Sequence, residues 1–223
     1  MSRGSPKGRN PLAYASSCRG LRQFNPTSHL RNGRVAGRYR VTAPTSADKL
    51  GCESHTGAAG ETVGAKTFGL RFFNVNGVGQ RPESPYAGVV SVFADRILRG
   101  EPLNVYGDGS QSRDFVHVDD AVQAVLAALA RTSTPGPVYS MGTGVQTSIV
   151  RLAKMLSRTM RPSAVPIFLA ARVGDISRSV ADVTLAKHLL DYEAKVELRA
   201  GLKTLVVPGS SRITSPPRIR DNP

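Results

Sequence analysis

The chain has 223 residues, a net charge of +14 and 40% hydrophobic residues. This length is enough for one domain with a hydrophobic core, and no run of about 18 apolar residues predicts a membrane span. The two cysteines, Cys18 and Cys52, form neither a metal-binding pair nor a disulfide framework. We therefore expect a cytoplasmic protein with no membrane association.

The positive charge is concentrated at the two ends of the chain. Residues 1–40 contain nine Lys and Arg and no Asp or Glu, and residues 208–223 contain three Arg and one Asp. Both segments lack periodicity, which predicts a disordered basic leader over 1–40 and a disordered tail over 208–223. A transit peptide or a nucleic-acid-binding arm is an alternative for the leader, and a non-native segment is the interpretation we favour. No aromatic interleaving supports a specific nucleic-acid partner.

Residues 41–207 alternate between strand-like and helix-like patterns. Apolar and β-branched runs predict strands at Thr67–Val75, Leu103–Tyr106, Phe115–Val118, Val138–Met141 and Val165–Ile167. Helical spacing predicts helices at Ala47–Val63, Val89–Arg99, from Asp119 onward, after Thr147 or Ser148, at Asp182–Leu190 and at Leu198–Leu205. In the helix that begins at Asp119, we expect the inward face to consist of Val122, Val125, Leu126 and Leu129.

Four short motifs carry a family resemblance. They are Leu103–Asp120, with sequence LNVYGDGSQSRDFVHVDD, together with Ala47–Glu53, Leu70–Val75 and Arg172–Asp175. In this order they resemble the C-terminal half of the NAD-dependent epimerase/dehydratase family, which are extended short-chain dehydrogenases similar to UDP-glucose 4-epimerase.

The resemblance implies an α/β fold. It consists of a truncated Rossmann-type domain, containing the C-terminal part of the parallel sheet, and a small nucleotide-sugar-binding α/β subdomain. The partial domain is expected to span residues 41–207.

The first motif concerns catalysis. Lys49 resembles the lysine of the family's Tyr-x-x-x-Lys pair, in which Tyr is the acid/base on a sugar hydroxyl and Lys lowers the tyrosine pKa and holds the nicotinamide ribose. Aligned without a gap, the tyrosine position is Thr45; with a three-residue deletion it is lost. An alkyl hydroxyl cannot replace a phenol as an acid. Lys49 is therefore either a relic of the catalytic and cofactor-binding lysine or an exposed helix lysine.

The other motifs resemble the family's nucleotide-sugar site. Asn74 matches an asparagine that contacts the nucleotide sugar, and Val105 and Tyr106 match the position that cradles a uracil or thymine ring. For Tyr106, a place in a core strand is the alternative.

Two arginines resemble the family's diphosphate ligands. Arg113 and Arg172 have the bidentate fork that suits phosphate oxygens, and Asp175 matches an aspartate that binds a ribose hydroxyl. Asp114 is expected to hold Arg113 in place or to form a structural ion pair. The sequence Gly142–Gly144 matches a structural turn of the family.

Several expected features are missing. The glycine-rich dinucleotide fingerprint should follow a strand and open a helix, but its nearest candidate, Gly57 to Gly64, lies in a predicted helix. The Ser or Thr that the family carries one strand before the tyrosine is not located. His55, His117 and His188 are too scattered for a metal site or a triad. NAD is the cofactor that the family implies, and we expect this chain not to bind it.

Three functional hypotheses follow. The first is a nucleotide-sugar epimerase or dehydratase by lineage, of the isomerase or lyase class, truncated and inactive alone. The second is a non-catalytic module that binds a nucleotide sugar, with a UDP-sugar favoured, or that pairs with itself or with a full-length homologue. The third is a non-functional gene remnant.

Overall fold

The computed structural model describes residues 11–17, 21–23, 30–31, 34–35, 39–41, 44–84, 86–131, 138–160 and 164–205. The chain divides into two compact units. The first contains residues 1–73, 122–141 and 182–193, and the second contains residues 74–121, 142–181 and 194–223. The expected tail, 208–223, lies outside the described residues.

The first unit contains a parallel sheet. Its elements are β1 (Leu12–Ser17), β2 (Leu21–Gln23), β3 (Leu30–Arg31), β4 (Arg34–Val35), β5 (Tyr39–Val41), α1 (Pro44–Val63), β6 (Thr67–Phe72), β11 (Val138–Met141) and α5 (Thr184–Leu190). Strand β6 is central and pairs in parallel with β1 on one side and β11 on the other. β2 pairs with β5, and β3 with β4, in antiparallel fashion. A central strand of a parallel sheet is buried on both faces, and Phe68 and Leu70 are each 1% exposed.

The second unit is built from short strands around a helical core. Its elements are β7 (Asn74–Asn76), α2 (Val89–Arg99), β8 (Leu103–Tyr106), β9 (Ser112–Arg113), β10 (Phe115–His117), the start of α3 (Val118–Ala130), β12 (Thr147–Ser148), α4 (Ile149–Met160), β13 (Pro166–Leu169), β14 (Arg178–Ser179) and α6 (Leu198–Thr204). β7 pairs with β10 and β8 with β13, both in parallel, while β9 lies between β12 and β14.

The core of the second unit is apolar and continuous. It joins the buried faces of α2 and α4 to β8 and α6, with Phe93, Ile97, Leu103, Leu152 and Leu202 each at most 2% exposed. Helix α2 has the predicted bounds and ends at Gly100, whose φ of 73° lies in the left-handed region. The expected α/β class with parallel pairing is confirmed.

The structure corrects the expected start of ordered sequence at residue 41. Strand β1, Leu12–Ser17, lies inside the segment for which we expected no structure. Its sequence LAYASS has only two large apolar residues and no clean alternation, so pattern analysis missed it. The strand forms because β6 supplies its backbone partners over six consecutive register pairs.

Two predicted elements also have boundaries that differ from expectation. The predicted strand Thr67–Val75 is two strands, because the N–H of Phe73 donates to Met141 and the chain then changes partner from β11 to β10. Helix α1 begins at Pro44 rather than at Ala47, and proline suits a first turn.

In α3 the expected inward face is wrong. Val122, Leu126 and Leu129 are 49%, 54% and 37% exposed, whereas Ala124 and Ala128 are fully buried. The apolar spacing fits either face of this helix, and the smaller alanines permit the closer approach. Among the described residues, no helix is long and apolar enough to cross a membrane.

Candidate functional site

The second unit contains a groove of about 200 Å³ between two chain segments. One wall is the end of β8 and the turn that follows it, and the other is the segment after β13. Because β8 and β13 are parallel neighbours, both segments leave the sheet at the same edge. The groove is lined by Tyr106, Gly107, Asp108, Ser110, Gln111, Ala171, Arg172, Asp175, Ile176 and Ser177.

The turn after β8 is fixed by its own side chains. Asp108 accepts hydrogen bonds from the N–H and the hydroxyl of Ser110, at 2.9 and 2.6 Å. These bonds stabilise the charged form, so they lower the pKa of Asp108 below its usual 3.8. Gln111 donates from its amide to the backbone oxygen of Tyr106, 2.7 Å away. The turn therefore presents an ionised carboxylate at the groove.

Strand alternation separates the two residues that we expected to cradle a base. Val105 is fully buried in the core, and Tyr106 on the opposite face is half-buried and lines the groove. The guanidinium carbon of Arg172 lies 3.7 Å from the centroid of the Tyr106 ring, within the range of a cation–π contact. The side chain of Val105 is therefore part of the packing, and only Tyr106 presents a ring to the groove.

Arg113 lies behind the groove wall and contacts two residues of that wall. Its Nη2 donates to Oδ1 of Asp175 at 2.6 Å, and its Nη1 donates to the backbone oxygens of Ile176 and Ser112 at 2.5 and 2.8 Å. The side chains of Arg113 and Asp175 are 16% and 34% exposed. The structure thus brings Tyr106 and Arg113 together with Arg172 and Asp175, from two segments that are far apart in sequence.

Asp114 has a different role from the one expected. It is completely buried, and no contact with Arg113 is present; its carboxylate accepts from Thr143 N–H and hydroxyl, Gly144 N–H and Ala181 N–H at 2.7–3.1 Å. A Cβ on Gly142 would lie 2.5 Å from Oδ2 of Asp114, so only glycine fits. This arrangement agrees with the structural role expected for the Gly142–Gly144 turn, because the N–H groups of Thr143 and Gly144 bind the carboxylate of Asp114.

Asn74 is the first residue of β7 and contacts the backbone of Asp114. Both its backbone N–H and its side-chain Nδ2 donate to the backbone oxygen of Asp114, each at 3.0 Å. Asn74 is half-buried and does not line the groove. His117 is buried in β10, where its Nδ1 accepts from the N–H of Asp119 at 3.3 Å, in keeping with a structural role.

Lys49 belongs to the first unit, on the first half of α1. Its ammonium donates to the backbone oxygen of Ala15 in β1, 2.9 Å away. Helix α1 is continuous from Pro44, so Thr45 and Lys49 lie four residues apart on one face, as the gapless alignment requires. Thr45 is exposed.

Strand β1 supplies hydroxyls that sequence reasoning missed. Ser16 and Ser17 occupy its carboxyl end, and the hydroxyl of Ser16 donates to Oε1 of Glu53 at 2.5 Å. Two adjacent serines at a strand end were the available signal, but the surrounding arginine-rich composition concealed the strand. Within the described residues, no group of three His, Cys, Asp or Glu could hold a metal ion.

Comparison with known proteins identifies relatives along most of the chain. The model of the NAD dependent epimerase/dehydratase family matches residues 10–142, so the similarity starts earlier than residue 41, the expected start of the partial domain. UDP-glucose 4-epimerase of Mycolicibacterium smegmatis is 33% identical over 82% of this chain and 53% of its own length. UDP-glucuronic acid decarboxylase 4 of Arabidopsis thaliana is 35% identical over 72% of this chain and 34% of its own length.

Solved structures agree with these sequence matches. UDP-glucose 4-epimerase of Thermotoga maritima, solved with UDP-glucose, has a TM-score of 0.78 and 31% identity over 88% of this chain and 62% of that one. UDP-glucuronic acid 4-epimerase of Bacillus cereus, solved with UDP-glucuronic acid and NAD, has a TM-score of 0.73 and 27% identity over 87% of this chain and 60% of that one. The Rossmann-like α/β fold is confirmed, and the chain spans about half the length of the curated relatives it matches.

Proposed function

Because the chain belongs to the NAD-dependent epimerase/dehydratase family, we propose that the groove of its second unit binds a nucleoside diphosphate sugar, with UDP-sugars preferred. One observation carries this proposal: Tyr106, Arg172 and Asp175 line one groove, and Arg113 contacts its wall. An aromatic ring, two guanidinium groups and a carboxylate suit the base, the diphosphate and the ribose of such a ligand.

Each of these groups has a chemical task. The exposed Arg172 can form a bidentate contact to phosphate oxygens, and Arg113 can add a second positive charge once it turns toward the groove. Asp175 can accept hydrogen bonds from ribose hydroxyls. Tyr106 offers apolar ring area for a base, and Asn74 remains a candidate contact to the nucleotide sugar at the start of β7.

The chain alone is not proposed to carry out epimerisation or dehydration. In the gapless alignment the position of the acid/base tyrosine is occupied by Thr45 at the start of α1, and an alkyl hydroxyl is too weak an acid for that role; with a three-residue deletion the position is lost. The Lys49 ammonium is bound to the backbone of β1. We therefore propose for this chain a ligand-binding activity without the catalytic activity of the epimerases to which it is related.

The described residues do not fit an NAD site. The nearest match to a dinucleotide fingerprint, Gly57 to Gly64, spans the interior and the end of α1, whereas phosphate binding needs the free N–H groups of a helix start. We propose that NAD, the family's cofactor, is not bound by this chain alone. Pairing with a second copy or with a full-length homologue is a further proposal, and light scattering with and without that homologue tests it.

Calorimetric titration with UDP-glucose tests the proposed function. We expect saturable binding by the wild-type chain, and about tenfold weaker binding by each of Arg113→Ala and Arg172→Ala, since each loses a charge-assisted contact. Arg151→Ala is the matched control, because Arg151 is exposed on α4 of the same unit and does not line the groove. Equal affinity in all four proteins would reject the site, and no binding by the wild type would favour the gene remnant.

A further inference from the structure

The segment after β13 forms a strap that is tied down by two arginines. We define the strap as residues 170–176, between the hydrogen bonds from Gly107 N–H to Leu169 O and from Ser112 N–H to Ser177 O. Its residues are exposed except for Ile176, which is half-buried. Arg172 lies over the Tyr106 ring, and Arg113 binds Asp175 and Ile176 from behind.

The contact between Arg113 and Asp175 uses the groups that a ligand would need. Arg113 gives three hydrogen bonds to protein oxygens, and Oδ1 of Asp175 also accepts from the N–H of Ile176 at 2.8 Å. Arg113 is absent from the groove lining, although two of its three partners, Asp175 and Ile176, belong to it. A phosphate that binds the Nη2 donor now used by Asp175 must therefore displace that carboxylate.

The volume of the groove also favours a movement of the strap on ligand binding. Sites for small molecules typically have a volume of about 300–1,000 Å³, and this open groove has about 200 Å³. In this arrangement of the strap, the groove does not surround a base, a ribose and a diphosphate together. Gly174, at φ 80° with no atom near its Cβ position, gives the strap a residue about which it can bend.

We propose that Asp175 is a latch: in the ligand-free chain it occupies Arg113 as an internal anion, and a diphosphate ligand displaces it and releases the strap. This inference rests on the proposed function for the identity of the ligand. The exchange replaces one anionic partner of Arg113 by another, so the latch selects for ligands with enough negative charge to compete with a carboxylate.

The latch predicts that removing the charge of Asp175 strengthens anion binding. The probe is inorganic pyrophosphate, which has no ribose and therefore does not need Asp175 as a partner. We expect Asp175→Asn to bind pyrophosphate about tenfold more tightly than the wild type, the change that one charge-assisted hydrogen bond provides. In an Arg113→Met background, Asp175→Asn should give no gain, because the site that it frees is absent.

Asp108→Asn is the matched control. Asp108 lines the same groove and contacts Ser110, not Arg113, so its substitution removes an equal charge and leaves the latch closed. We expect less than about a threefold gain in pyrophosphate affinity, the effect of general screening at an exposed site. Equal gains in Asp108→Asn and Asp175→Asn would overturn the latch.

Hydrogen exchange without any ligand separates the latch from the proposed function. Asp175→Asn and Arg113→Met should each speed amide exchange across residues 172–176, and the double variant should exchange no faster than either single variant. Unchanged or additive exchange would overturn the latch even if UDP-glucose binds. If the strap responds in this way while UDP and UDP-glucose fail to bind every variant, the latch stands and the proposed function fails.

Discussion

Ser16 and Arg71 are register partners on the neighbouring parallel strands β1 and β6, and both side chains contact the carboxylate of Glu53. Arg71 donates from Nε to Oε1 of Glu53 at 3.1 Å and from Nη2 to Oε2 at 2.5 Å, and both side chains are at most 8% exposed. Glu53 lies four residues after Lys49, so one face of α1 makes two polar contacts with β1. This network fixes the helix against the strand that pattern analysis missed.

Glu53→Gln is expected to destabilise the first unit strongly. It removes the negative charge that contacts the buried guanidinium of Arg71, and breaking such a pair costs about 3 kcal/mol or more. Urea denaturation measures the free energy of unfolding. Glu83→Gln is the control, because Glu83 is exposed, and a loss of similar size in both variants would contradict the role of the network.

Asp114→Asn is expected to destabilise the second unit. The amide keeps one acceptor oxygen but loses the charge that accepts from Thr143, Gly144 and Ala181, and hydrogen bonds to charged groups are worth about 1.5–3 kcal/mol each. We expect a loss of about 3 kcal/mol in denaturation. The exposed Asp48 provides the control, Asp48→Asn. A loss below about 0.5 kcal/mol for Asp114→Asn, within the range of surface substitutions, would show that the loop does not depend on this carboxylate.

Two tyrosines predict a loss of stability in alkaline solution. Burial raises the pKa of Tyr14 and of Tyr139 above the usual 10.0, and the nearby Glu53 raises the pKa of Tyr14 further, against a hydrogen bond with Thr56. The unfolded chain therefore releases these protons first. The stability that they contribute is complete below pH 10 and is lost as the pH rises through the folded-state values.

Thermal melts between pH 8 and pH 11.5, a range of about 1.5–2 units on either side of the usual tyrosine pKa, measure this effect. Tyr14→Phe and Tyr139→Phe should each flatten the fall in melting temperature above pH 10. Tyr86→Phe should not, because Tyr86 is 75% exposed. An equally steep fall in all three variants would assign the alkaline loss to other groups.

The chain is expected not to bind NAD. The nearest match to the dinucleotide fingerprint, Gly57 to Gly64, lies in the interior and at the end of α1 rather than at a helix start, and the Lys49 ammonium is bound to the backbone oxygen of Ala15. Calorimetry with NAD, alone and in the presence of UDP-glucose, should give no saturable heat. Binding in the micromolar range that is lost in Lys49→Met would contradict this prediction and restore the cofactor role of Lys49.

Much of the second unit could be predicted because its elements have strong local signals. The strand Leu103–Tyr106 and the helix Val89–Arg99 have the expected bounds, and the four groups around the groove came from motifs. Local signals could not show that the carboxylate oxygens of Asp114 would accept hydrogen bonds from the Gly142–Gly144 loop. That contact joins residues about thirty positions apart and depends on packing rather than on neighbours in sequence.

The first unit was less predictable because its edge strand depends on tertiary pairing. Leu12–Ser17 has little intrinsic strand signal and forms because β6 is available beside it. Helix α3 shows the complementary problem. Its valines and leucines have helical spacing, yet the small Ala124 and Ala128 face inward. Periodicity alone cannot decide whether a helix buries its face of large apolar residues or a face of small residues that allows closer packing.

Chemical-shift mapping with UDP tests the binding proposal most directly. Amide resonances of the chain would be followed during titration with UDP, and with uridine as the ligand that lacks the diphosphate. We expect UDP to shift the resonances of residues 106–111 and 171–177, and uridine to cause much smaller changes at residues 172–176. Shifts confined to other segments, or none at saturating UDP, would contradict the assignment of this groove as a nucleoside diphosphate site.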